Sequence, residues 1–158
     1  MFFNLNRYLS SNSERIIYRF GISLRFVVVV ISLWTLFLGG LSYYLQYLGV
    51  GDALERAPLV ILVFIMLYYF IYFLTTVYFV TDVKIYKRVG VGFAKVTSAK
   101  HTEIDDMKVQ QGFFENVLFN TGTLKFNTPG SAGFEIILPR VAAPFAMKRV
   151  LYDAWEKP

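Results

Sequence analysis

Two long stretches without a charged residue constrain this chain more than anything else in its sequence. No Asp, Glu, Lys or Arg occurs between Arg25 and Asp52, or between Arg56 and Asp82. Within the first stretch, Phe26–Leu48 is an apolar run of 23 residues. At ~1.5 Å per residue this makes ~35 Å of helix, enough for a ~30 Å hydrocarbon core. The second stretch supplies Pro58–Val80, again 23 residues, with Pro58 expected as the helix opener. Backbone in lipid must satisfy its own hydrogen bonds, so runs this long imply spanning helices despite their β-branched and aromatic content. The connection 49–57 is short and holds Gly49, Gly51 and Asp52, which makes the two helices antiparallel neighbours.

Aromatic placement fits that hairpin. Tyr43, Tyr44 and Tyr47 cluster at the loop end of the first helix, where a ring lies in lipid and a hydroxyl at the headgroups. Tyr68, Tyr69 and Tyr72 fall mid-span in the second. Two readings stay open for them: packing against Gly39, Gly40 and Ser42 of the first helix, or ordinary lipid-facing bulk. Orientation follows from the flanking cations. Four arginines precede the first run (Arg7, Arg15, Arg19 and Arg25), and the loop has only Arg56. Lys84, Lys87, Arg88, Lys95 and Lys100 follow the second run. Both termini are therefore expected in the cytoplasm, with the chain integral to the plasma membrane of a prokaryote. A cleaved signal peptide is not expected, because the first run is too long and no A-x-A site follows it.

Residues 1–25 form a basic segment before the first span. Ser13 followed by Ile16, Ile17 and Phe20 reads as a short capped amphipathic helix. Its arginines either touch anionic lipid or simply hold the first helix in place, and the second reading is preferred.

From Thr81 to Pro158 the texture changes. Charges return and alternation replaces continuous hydrophobicity. Val77–Tyr86 reads as a half-buried strand, followed by a turn at Val89–Gly92 and a strand near 93–97. Thr102–Gln110 alternates through Ile104, Met107 and Val109. Gln111–Gly122 is a helical or irregular turn presenting Phe113, Phe114, Val117, Leu118 and Phe119. Strands follow with Leu124 and Phe126 inward, then Ile136 and Leu138, separated by a loop at 128–133. From Pro144 the period switches: Met147, Val150, Leu151, Ala154 and Trp155 make one face of an amphipathic helix. The result is an α+β module of strands closed by a C-terminal helix.

This arrangement resembles the bacterial pleckstrin-homology-like membrane proteins. Two membrane helices precede Tyr78-Phe79-Val80-Thr81-Asp82-Val83-Lys84-Ile85, similar to that family's Y-x-x-T-D-x-R/K-I, and then Arg88-Val89-Gly90, similar to its R-x-G. Val109–Gly112, the Gly122-Thr123-Leu124 strand start and the terminal helix also look similar. Two segments depart from the pattern, Ser98–Ile104 and Thr128–Gly133. The resemblance implies a membrane α-helical hairpin joined to a strongly bent, seven-stranded antiparallel sheet capped by a helix. It places the cytoplasmic PH-like domain at 81–158, and it implies an adaptor or assembly role.

Composition and motifs then limit the chemistry. The 158 residues are 56% hydrophobic and 17% charged, against about a quarter charged in soluble domains. There is no cysteine and one histidine, so neither a thiol nucleophile nor a multi-histidine metal site can form within one chain. Gly90-x-Gly92 lacks the third glycine of a dinucleotide loop. His101 reads as a solvated surface residue, and Glu103, Asp105 and Asp106 lack the spacing of a calcium loop. We therefore expect no enzyme activity, no cofactor and no metal.

Net charge is +5 for the whole chain and only +3 from Asp82 onward, and the aromatics do not alternate with basic residues, which argues against nucleic acid. The leading expectation is a membrane-anchored scaffold that gathers another membrane protein or a second copy of itself. Its candidate docking residues are Phe113, Phe114 and Phe119. The alternative is recognition of anionic lipid headgroups by Lys84, Lys87, Arg88, Lys95 and Lys100, held close to the bilayer by the second span.

Overall fold

The structure, a computed structural model, describes residues 14–90, 95–127 and 134–156. Ser13, the turn residues 91 and 92, the start of the strand expected near 93–97, and the loop at 128–133 lie outside the described residues. The first element is β1 (Ile16–Gly21), followed by helices α1 (Leu24–Leu48) and α2 (Asp52–Thr75). Strands β2 (Val77–Thr81), β3 (Lys84–Val89) and β4 (Lys95–Lys100) come next. Then follow β5 (Asp106–Gln110), β6 (Thr121–Asn127), β7 (Phe134–Ala142) and α3 (Pro144–Glu156). The strands form two antiparallel sheets, β1-β2-β3-β4 and β5-β6-β7, joined at a corner by a bridge between Ile22 and Val141. This is a PH-like α+β fold with a helical hairpin inserted between its first two strands.

That insertion corrects the reading of the N-terminal segment. Ile16–Gly21 is a strand, not an amphipathic helix, and it pairs with β2 from the far side of the hairpin. Its β-branched and aromatic residues suit a pleated surface. An isolated helix of so few residues would be marginal, whereas β2 offers a ready ladder. The domain therefore starts before α1 rather than after α2.

Helix α1 ends as the sequence indicates, with Gly49 in the left-handed conformation at φ 63° and its N–H donating to Gln46. Helix α2 starts earlier than expected. Asp52 and Glu55 occupy its first turn, where acidic groups meet the positive end of the helix dipole, and Asp52 pairs with Arg56 at 3.6 Å. Pro58 consequently lies inside the helix rather than opening it. Ser42 donates to the Glu55 carbonyl and ties the two helices near their loop. Tyr68 and Tyr69 line a hollow with Trp34, Ile61 and Phe64, while a Cβ added at Gly39 or Gly40 would meet nothing within 4 Å. The mid-span tyrosines therefore do not fill the glycine notch. Both helices are long and apolar enough to cross a membrane, and only 11% and 6% of their most apolar windows are buried.

Val77–Tyr86 is not one strand. Thr81 breaks it: its hydroxyl donates to the Lys84 carbonyl and accepts from the Val83 and Lys84 amides, closing a tight turn. Asp82 next to it accepts from the Arg15 amide and donates its own N–H to the Arg15 carbonyl, holding the start of β1. The Thr-Asp pair thus sets the β2–β3 turn and the register of the strand on the other side of the hairpin.

The core lies between the sheets and under α3. Tyr78, Val80, Ile85, Met107, Leu124, Phe126, Ile136, Leu138, Val141 and Leu151 are all essentially inaccessible. Strand β2 is buried on both faces: on its outer face Val77, Phe79 and Tyr86 form a second cluster, the last two stacked at 4.7 Å. The expected inward residues Leu124, Phe126, Ile136 and Leu138 all lie in this core with Leu151 of α3, and Met147 and Trp155 of α3 pack at its margin.

Candidate functional site

The junction between hairpin and domain is built by side chains that reach across it. Arg88 of β3 is buried, and its guanidinium donates to the Thr75 carbonyl at the end of α2, where a cation also meets the negative end of the helix dipole. Arg140 near the end of β7 lies 4.4 Å over the Phe26 ring of α1 and 5.8 Å from the Tyr72 ring of α2. Its backbone takes φ 59°, a left-handed conformation costly for arginine, and its carbonyl accepts from the Ser23 amide just before α1. Tyr78 donates its hydroxyl to the Pro139 carbonyl, linking the two sheets one residue away. Burial raises the Tyr78 phenol well above its ordinary range, with Tyr72 adding to the shift and Arg140 opposing it. Sequence reading did not single out Arg140. A cation eighteen residues before Pro158 carries no local sign that it will stack on helix residues far earlier in the chain.

The five basic candidates do not meet at one place. Strand β2 runs away from the hairpin and β3 returns, so Lys84 lies at the far turn and Arg88 at the near end, ~13 Å apart at ~3.3 Å per residue. Register puts Lys84 opposite Lys100 on one face of the sheet, the face that Arg88 shares. Lys87 and Lys95 belong to the other face, by the alternation of side chains along a strand. Lys100 pairs with Glu103 at 2.9 Å. Burial lowers the Lys87 ammonium below the ordinary lysine range, with repulsion from Lys95 adding to the effect.

The three phenylalanines divide as well. Phe119 packs edge-to-face on Phe26 of α1 at 5.2 Å and is half-buried. Phe113 and Phe114 are 75% and 68% exposed and contact each other edge-to-face at 5.6 Å. They precede a single π-helical turn, Glu115–Phe119, which Glu115 starts by accepting from the Gly112 amide and Asn120 ends at φ 47°.

A groove of about 520 Å³ runs along the outer edge of β5. Its floor is Asp106–Gln110, and Lys125, Phe145 and Lys148 form its sides. Lys148 donates to the Met107 carbonyl at 2.6 Å, and Phe145 is exposed beside it. Lys148 is not among the residues of the apolar face read from the sequence, and the structure turns it onto the edge strand.

His101 is half-buried rather than solvated. Its ring stacks on Trp155, and Nδ1–H donates to the Val83 carbonyl at 2.9 Å, so the imidazole holds a turn against α3. Glu103 and Asp106 are engaged separately, with Lys100 and with Lys108.

A four-plus-three antiparallel sheet, a closing helix and a hairpin of two long apolar helices between the first two strands define a PH-like domain. The bacterial PH domain family profile matches residues 20–155, and the chain belongs to that family. The matched region begins in β1 and contains the whole hairpin, in keeping with a domain that starts before α1. No curated protein and no solved structure matches the chain. PH-like domains are in general non-catalytic binding modules.

Proposed function

We propose that this protein is a non-enzymatic binding module anchored in the plasma membrane by α1 and α2, with its PH-like domain gathering a protein partner at the cytoplasmic face. Strand pairing supports the topology independently of the charge bias. Because β1 and β2 flank the hairpin and bond to each other, both ends of the hairpin must lie on the same side of any membrane it crosses.

The observation that carries the binding role is the groove beside β5. An edge strand with an apolar side chain at its rim and lysines around it suits an extended acidic segment of a partner, added as a further strand. The headgroup alternative has less geometric support, since its five cations divide between two faces and Arg88 bonds to Thr75.

The test is a photo-crosslinking side chain placed at Phe145 of the full chain in intact membranes, with Val96 on β4 as the control. The full chain is required, because a fragment cut at Thr81 would divide β2 and lose β1. A protein adduct at position 145 that disappears in a Lys108→Glu, Lys148→Glu background, with none at 96, is the expected result. Equal adducts at both positions, or none at 145, would contradict the reading.

A further inference from the structure

The β5–β6 connection sits at the root of the hairpin. Thr121, directly after it, pairs with Ala142, and the neighbouring Val141 bridges to Ile22, two residues before α1. Asn120 accepts from the Ala143 amide, which closes the connection onto the same corner. Phe119 packs on Phe26 and so lies level with the first turn of α1.

From that level the connection presents Phe113, Phe114, Val117 and Leu118, all exposed. The segment 111–120 has one charged residue, Glu115, and its carboxylate is occupied by the Gly112 amide. Four large apolar side chains exposed together on one short turn mark a contact surface rather than a solvated loop. The surface is continuous with α1 through the Phe119–Phe26 contact, and α1 exposes its own apolar residues along its length.

We propose that this turn is an interfacial wedge: Phe113, Phe114, Val117 and Leu118 enter the acyl boundary of the leaflet beside α1. The proposal rests on the hairpin crossing a membrane. It changes the occupant expected for Phe113 and Phe114 from a protein partner to lipid. It adds a second point of membrane contact away from the helices, so the domain is fixed in tilt as well as tethered. Insertion of this kind depends on apolar burial, so it should be independent of lipid charge and of salt.

The chain has no cysteine, so single labels can be placed without background. Full-length Phe113→Cys, Phe114→Cys, Leu36→Cys and Thr102→Cys proteins would each carry an environment-sensitive fluorophore in vesicles of neutral phosphatidylcholine. Lipids spin-labelled near the headgroup or deep in the acyl chain serve as quenchers. The wedge predicts loss of emission at 113 and 114 with the shallow quencher and a smaller loss with the deep one. Leu36 should respond to the deep quencher and Thr102 to neither, with no change when salt is raised. Quenching at 36 without quenching at 113 and 114 would overturn the wedge and leave the hairpin standing. Blue-shifted but unquenched emission at 113 and 114 would show contact with protein and would also overturn it. Absence of quenching at 36 would overturn the membrane hairpin, and the wedge with it.

Discussion

The hairpin and the domain use the same kinds of side chain in opposite ways. In α1 and α2, Leu36, Phe37 and Phe64 point outward and are largely exposed, while in the domain Tyr78, Phe79, Leu124 and Phe126 are completely enclosed. Only Thr76 separates the end of α2 from β2, whose every residue is buried. The contrast teaches that hydropathy alone does not mark where an exposed apolar helix ends. A helix with an exposed apolar surface and a strand covered on both faces both read as continuous apolar sequence. What separates them is exposure: one keeps its apolar side chains on the outside, and the other is covered by two layers of protein.

The sharpest way to break this comparison is to truncate one phenylalanine in each region. Phe126→Ala should destabilise the domain by about 3–5 kcal/mol, through lost burial and the cavity left behind. Phe64→Ala should change stability by about 0.5 kcal/mol or less in detergent micelles, because nothing packs outside it. Thermal unfolding followed by Trp155 fluorescence would measure both. Equal effects would place α2 in a protein core.

Gly122→Ala sharpens the domain side. A Cβ there would come within 2.8 Å of Pro144 Cγ and 3.0 Å of the Gln110 carbonyl oxygen, so the start of α3 must shift. A loss of about 1–3 kcal/mol is expected in the same assay. An unchanged midpoint would mean that α3 is not held against β6 as described.

Arg140 tests the boundary itself. Arg140→Ala should cost about 1 kcal/mol through the lost stacking on Phe26 and Tyr72. Arg140→Gly loses the same stacking but relieves the left-handed backbone, so it should be the milder of the two. The reverse order of midpoints would show that the strain is absent.

The smallest effect is at Lys87, whose ammonium burial and Lys95 hold below the ordinary range. Between its lowered folded value and the ordinary lysine value, the unfolded chain binds more protons than the folded one. Stability should therefore rise with pH across that window. Lys87→Met should raise stability at neutral pH and remove that rise. A wild-type midpoint that is flat, or falls, across the alkaline range relative to the variant would contradict the assignment.

Much of this was legible in the sequence, for physical reasons that differ by element. Helix α1 was readable because charge bounds it at Arg25 and Gly49 caps it. The inward residues of β6, β7 and α3 followed from period alone. The edges of α2 were not, because Asp52 and Glu55 look like loop residues until the helix dipole is considered, and Val77–Val80 look like membrane. Strand β1 was invisible because its partner lies beyond the whole hairpin, and no local pattern reports a pairing of that separation. The family signature was legible as letters but not as mechanics. Thr81 and Asp82 prove to set a turn and a strand register, and Arg88 to anchor a helix end. The candidate basic cluster separated because alternation along β3 sends neighbouring cations to opposite faces.

The central claim is that a membrane hairpin interrupts the domain between β1 and β2, leaving both flanks on one side. The most direct test is cysteine accessibility in sealed, oriented membrane vesicles. Arg15→Cys, Val50→Cys and Thr102→Cys proteins would be labelled with an impermeant maleimide from each side in turn. The account predicts that positions 15 and 102 react from the cytoplasmic side and position 50 only from the other. Reaction of 15 and 102 from opposite sides, or of all three from one side, would contradict it.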